Sequence, residues 1–195
     1  MKKTLLVTTA ALSLSLTSLA PIKPLASTDV GTNVLDHVEI SQSNQPIENG
    51  QYKIITMLNN KSSMWNQPLE LSDTSDEYGL RDHFYLHYVK EKNAYFIKTP
   101  DGLLNLKWDG KEGTHNLKYN GGDWPTPTTD ADYWILESTG EKDTYYIKNK
   151  ENLAYVLDVH NANPNNGTKI KVSKKHYSDA HPWHKNAQKF KLEKY

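Results

Sequence analysis

Three segments of this chain carry an aromatic residue, any residue and then leucine: Phe84-Tyr85-Leu86, Trp134-Ile135-Leu136 and Phe190-Lys191-Leu192. They stand 50 and 56 residues apart, and eleven residues after the first two come Tyr95-Phe96-Ile97-Lys98 and Tyr145-Tyr146-Ile147-Lys148. Tyr52-Lys53-Ile54 is the same element at the start of a first copy. A further pair of segments, Leu104-Asn105-Leu106 with Gly113-Thr114 and Leu157-Asp158-Val159 with Gly167-Thr168, follows in two of the copies. A fixed period of this kind means a repeat architecture. Within each segment the apolar residues alternate: Phe190 and Leu192 face one way, Lys189, Lys191 and Glu193 the other. That is the period of a strand with one buried face. Asn49-Gly50, Pro100-Asp101-Gly102, Asp109-Gly110, Asn120-Gly121-Gly122 and Asn166-Gly167 punctuate the strands as turns. No stretch of a dozen residues carries a helical stripe. The pattern predicts an all-β unit of three copies with about four strands each. A barrel closed on itself buries one face of every copy and leaves no long sheet edge, whereas a sandwich explains the strands but not the repeated spacings.

The rest of the chain divides on composition. All the aromatic residues (12 Tyr, 5 Trp and 3 Phe) lie from Tyr52 onward. Lys2 and Lys3 precede an apolar, uncharged run from Leu5 to Ala20, shorter than the ~20 residues a spanning helix needs. This reads as a signal peptide over 1–26, cleaved between Ala20 and Ser27, and so predicts a secreted protein. Residues 27–49, rich in Ser, Thr, Asn, Gln and Asp, read as a flexible linker. The folded unit is then 50–195, with copies over about 50–91, 92–141 and 142–195. The 23 basic and 23 acidic side chains balance; losing Lys2, Lys3 and Lys23 leaves three acids in excess. Such a balance argues against nucleic acid as the partner. With no cysteine, disulfides, a thiol nucleophile and Cys-ligated zinc are excluded.

Catalytic signatures are missing: there is no Gly-x-Ser-x-Gly, no phosphate-cradling loop and no His-Glu-x-x-His. Asp130 and Asp132 read as a solvated turn. His176, His181 and His184 fall within nine residues, but Pro182 constrains their loop and no strand fixes the rings, so neither metal nor cofactor is expected. His83 and His87 read as barrel surface.

Leu157-Asp158-Val159, Gly167-Thr168-Lys169-Ile170 and Gln188-Lys189-Phe190 together resemble the repeat of ricin-B-like β-trefoil lectins. Residues 50–195 also look like the small haemagglutinin subunit that accompanies clostridial neurotoxins. The first two copies depart from the repeat, with Asp82 and Asp132 in place of the Gln of Gln-x-Trp. The resemblance implies a β-trefoil that binds glycans of galactoside type without catalysis. It places Asp158 at the hydroxyl-accepting position, Lys171 at the family's Gln, Ser173 at its stacking aromatic and Ala187 at its Asn. Asn161 and Asn163 follow in the loop, Gln188 belongs to the closing motif, and Tyr177 or Trp183 would replace the missing aromatic plane. A second, weaker site is expected at Asn105, with Trp108, Asp109 and Trp124 around it. In the first copy Trp65-Asn66-Gln67-Pro68 closes the corresponding loop. Degeneration of the sugar positions suggests the alternative of an accessory subunit docking on a toxin or enzyme.

Overall fold

The computed structural model describes residues 45–74, 81–100, 104–112, 117–121, 127–177 and 181–195, without the side chains of 104–105 and 119–121. The predicted signal peptide, most of the linker, Gly113-Thr114 and Trp124 lie outside the described residues. The strands are β1 (Gly50–Thr56), β2 (Ser63–Asn66), β3 (Leu69–Ser72), β4 (His83–Val89), β5 (Ala94–Lys98) and β6 (Leu104–Trp108), followed by β7 (Leu117–Gly121), β8 (Trp134–Ser138), β9 (Thr144–Asn149), β10 (Tyr155–Val159), β11 (Ile170–Lys174) and β12 (Phe190–Lys194). β1, β4, β5, β8, β9 and β12 pair antiparallel in that order, and β12 returns to β1, so the ring is closed. Hairpins β2–β3, β6–β7 and β10–β11 join the ring at Ile55↔Ser63, Lys98↔Asn105 and Lys148↔Val156. The expected all-β closed barrel is what the chain forms.

The aromatic-x-Leu positions explain why the ring closes. Phe84, Trp134 and Phe190 are fully buried and pair across strands with Tyr52, Tyr95 and Tyr145. Leu86, Leu136 and Leu192 bury the next position on the same face, as a period of two requires. Burying a large apolar side chain contributes roughly 1.5–3 kcal/mol, and the hairpins add Met64, Leu71, Leu106, Leu157 and Val172 to the same core. The Trp134 indole N–H also donates to the Leu106 carbonyl at 3.0 Å, tying barrel to hairpin.

One expectation needs correction. Residues 45–49, assigned to the linker, belong to the folded unit: the Ile47 N–H and C=O both bond the Tyr95 hydroxyl, and the Tyr52 hydroxyl donates to the Glu48 carbonyl. The connection before β12 forms one short helix, α1 (Pro182–Asn186). Pro182 opens it, where a missing N–H costs nothing. Among the described residues no helix is long and apolar enough to cross a membrane.

Candidate functional site

In the third hairpin Asp158 lies directly opposite Lys171, and Val156 opposite Ser173. Asp158 and Ser173 therefore share a face with Lys171, two residues along β11. The Asp158 side chain is largely enclosed, 5 % exposed. Its Oδ2 accepts from the Ser173 hydroxyl and from Gln188 Nε2 at 2.8 Å. The fully buried Gln188 amide also donates to the Lys174 carbonyl at 2.8 Å, and its Oε1 accepts from the His176 N–H at 2.7 Å. Gln188 thus fixes the carboxylate and the chain that carries His176. Its polar atoms are satisfied inside the protein.

The chain leaving β10 turns sharply. Asn161 (φ 55°) and Ala162 (φ 50°) both adopt left-handed backbone, which asparagine tolerates and alanine does not favour. The Val159 N–H donates to the Ala187 carbonyl at 2.9 Å, pinning the end of β10 under the segment after α1. Between them opens a cleft of about 300 Å³. Asp158, Asn161 and Ala162 line it from one side and Lys171 from β11; His176, His184 and Ala187 complete it. That is the small end of the range for ligand sites, and suits one sugar ring.

Of the residues expected here, Asp158, Asn161 and Lys171 meet at the cleft, and Gln188 stands behind it. Tyr177 and Trp183 are not among its lining: they are 71 % and 53 % exposed, and the Trp183 ring packs on His181 at 5.0 Å. The flat groups at the cleft are the imidazoles of His176 and His184, edge to face at 5.1 Å. Sequence reasoning considered those histidines only as metal ligands; their place in the segment leading to Gln188 was the usable signal.

The second group is placed differently. Lys98 pairs with Asn105, whereas the matching Lys148 pairs with Val156. The station of Asp158 in the second hairpin is therefore held by Lys107, and Asn105 lies two residues away. Trp108 is buried, stacked on Tyr155 at 4.9 Å, with its N–H on the Lys111 carbonyl at 2.8 Å. Asp109 caps its own turn by accepting from the Lys111 N–H at 3.0 Å. These residues serve core and turn, and present no flat face to a ligand. The Lys107 ammonium lies 3.4 Å from Asp132 Oδ2, which also accepts from the N–H and hydroxyl of Thr129 and the N–H of Thr128. Burial pushes the Asp132 carboxyl up, but those hydrogen bonds and the Lys107 charge outweigh it and hold the group below the usual range. At the matching places in the first copy, Trp65 lies beneath the Arg81 guanidinium, and buried Asp82 pairs with Lys53 at 2.9 Å.

Comparison with known proteins agrees with this fold. The sequence profile of ricin-type β-trefoil lectin-like domains matches residues 80–173. A mosquitocidal holotoxin is similar over 76% of this chain at 22% identity and a TM-score of 0.62; the chain spans 17% of that toxin's length. ThreeFoil, a designed threefold-symmetric protein, is similar over 73% of this chain and 97% of its own, at 16% identity and a TM-score of 0.55. The Macrolepiota procera ricin B-like lectin, solved with lactose, is similar over 77% of this chain and all of its own, at 11% identity and a TM-score of 0.56. No curated protein matches the chain. At these identities the likeness shows the fold, a β-trefoil.

Proposed function

We propose that this protein is a secreted, non-catalytic glycan-binding β-trefoil, with its sugar site over Asp158 in the third hairpin. Among the described residues, the third hairpin is the one that sets a buried carboxylate before a cleft. The observation that carries the reading is the Asp158 carboxylate, anchored by Ser173 and Gln188 and facing a cleft of one-sugar size. A neutral sugar offers hydroxyl pairs, and a carboxylate held in place by its own donors accepts them without reorganising. The ligand class is galactoside, as the lectin profile and the lactose-bound relative suggest. Titration of lactose and a glycan array against wild type and Asp158→Asn test it. Asn retains an acceptor oxygen but loses charge-assisted bonds of roughly 1.5–3 kcal/mol, so affinity should fall by about one to two orders of magnitude with little change in Tm. Absence of binding to every sugar at millimolar concentration would sink the reading.

One observation favours a second reading, a haemagglutinin-like or toxin-associated accessory subunit. The stations matching Asp158 carry Trp65 and Lys107, so one cleft stands where a multivalent lectin would have several, and a lone site binds weakly without a second point of attachment. Co-purification of a toxin or enzyme partner from culture supernatant would favour it, and a strictly monomeric protein would count against it.

A further inference from the structure

We propose that the Asp158 cleft selects an acidic glycan, a sugar bearing a carboxylate or sulfate that is received by Lys171; this rests on the reading of the cleft as a sugar site. Directly opposed side chains in an antiparallel pair have Cβ atoms about 4.5–5.5 Å apart, and Asp158 and Lys171 are so opposed. They nevertheless form no ion pair among the described residues, while Asp158 Oδ2 is held by Ser173 and Gln188. Several neighbouring lysines behave otherwise: Lys148 and Lys175 share Glu137, Lys169 pairs with Glu70, and Lys189 pairs with Glu141. Among the described residues Lys171 has no such carboxylate, yet it lines the cleft.

The remaining polar lining is the Asn161 amide and the imidazoles of His176 and His184, and among the described residues Asp158 is the only carboxylate there. A neutral sugar, itself rich in hydroxyl donors, would satisfy Asp158 and leave the ammonium with no anion. A ligand with hydroxyls at one end and a negative group a ring's width away satisfies both ends of the opposed pair. The negative group is drawn to Lys171, where the cleft walls screen the attraction less than open water does.

The test compares lactose, sialyllactose and galactose 6-sulfate by calorimetric titration at low salt, with wild type, Lys171→Gln and Lys61→Gln. Lys61 has its own partner, Asp73, at 2.8 Å. Wild type should bind at least one acidic probe about tenfold more tightly than lactose, and whichever of the two is preferred assigns the group as carboxylate or sulfate. In Lys171→Gln the acidic-to-neutral ratio should fall to within about twofold of unity, while Lys61→Gln retains the wild-type ratio. Equal binding of lactose and both acidic probes by wild type, or a ratio that survives Lys171→Gln, overturns the proposal and leaves the sugar reading standing. No binding of any probe overturns both.

Discussion

The second and third hairpins place a charged residue at the same station and surround it in opposite ways. In the third, an acid on the hairpin (Asp158) meets a neutral amide from the barrel (Gln188), and a cleft opens in front of it. In the second, a base on the hairpin (Lys107) meets an acid from the barrel (Asp132) that the Thr128–Thr129 backbone has already wrapped. One pair leaves hydrogen-bonding capacity pointing outward; the other consumes it locally. The scaffold is common to both, so the proposed difference in binding follows from which partner carries the charge and whether its own loop satisfies it.

The comparison first requires that both hairpins rest on one core, and the largest effect tests that. Trp134→Ala removes a fully buried indole and its bond to Leu106, and should cost roughly 3–5 kcal/mol, read from chemical denaturation. A loss below about 1 kcal/mol would mean that the barrel and second hairpin are not coupled through it. Asp132→Ala strips the cap and leaves Lys107 unpaired; we expect a loss of about 2–3 kcal/mol with sugar affinity unchanged, the reverse of Asp158→Asn. If Asp132→Ala weakened binding instead, the division of labour would fail.

The acid limb sharpens the contrast further. Because the Asp132 carboxyl is held low, its contribution is present above its unfolded value of 3.8 and is lost as pH falls through the lower folded value. The stability deficit of Asp132→Asn should therefore shrink as pH drops below about 4, seen in Tm against pH for variant and wild type. A deficit independent of pH would assign the cost to packing. The smallest effect is Ala162→Gly, which relieves left-handed backbone at the cleft and should stabilise by roughly 0.5–1 kcal/mol net. Destabilisation would show that the alanine methyl supports the cleft.

The barrel was legible in the sequence because its determinants are local and periodic: an aromatic, a leucine two residues on, and a tyrosine on the paired strand. The hairpin register was not. Equal spacings from Leu106 to Leu117 and from Val159 to Ile170 invited their alignment, but the chain pairs Trp108 with Leu117 and Val159 with Ile170. The second hairpin is two residues shorter, and register is set by the turn rather than by the strands. That shift put Asn105 in the place of Lys107. At the third hairpin the Asp158 and Lys171 positions could be read from the motif. That the segment leading to Gln188 lines the cleft was legible too, but which of its rings do so, His176 and His184 rather than Tyr177 and Trp183, depends on how Gln188 bonds the His176 backbone and where α1 starts.

β12 is the strand that seals the ring, lying between β9 and β1, and the Lys194–Glu48 ion pair on this seam joins residues 146 positions apart. A seam between such distant parts of the chain gives a high contact order and a slow, late-closing folding reaction. Until residues 190–194 have been synthesised and find β1, the nascent chain has an open sheet edge on either side of the gap, and no shorter N-terminal fragment completes the barrel. A synthetic peptide spanning β12, supplied in trans to a chain truncated before Phe190, should fill that gap and restore the closed barrel by complementation.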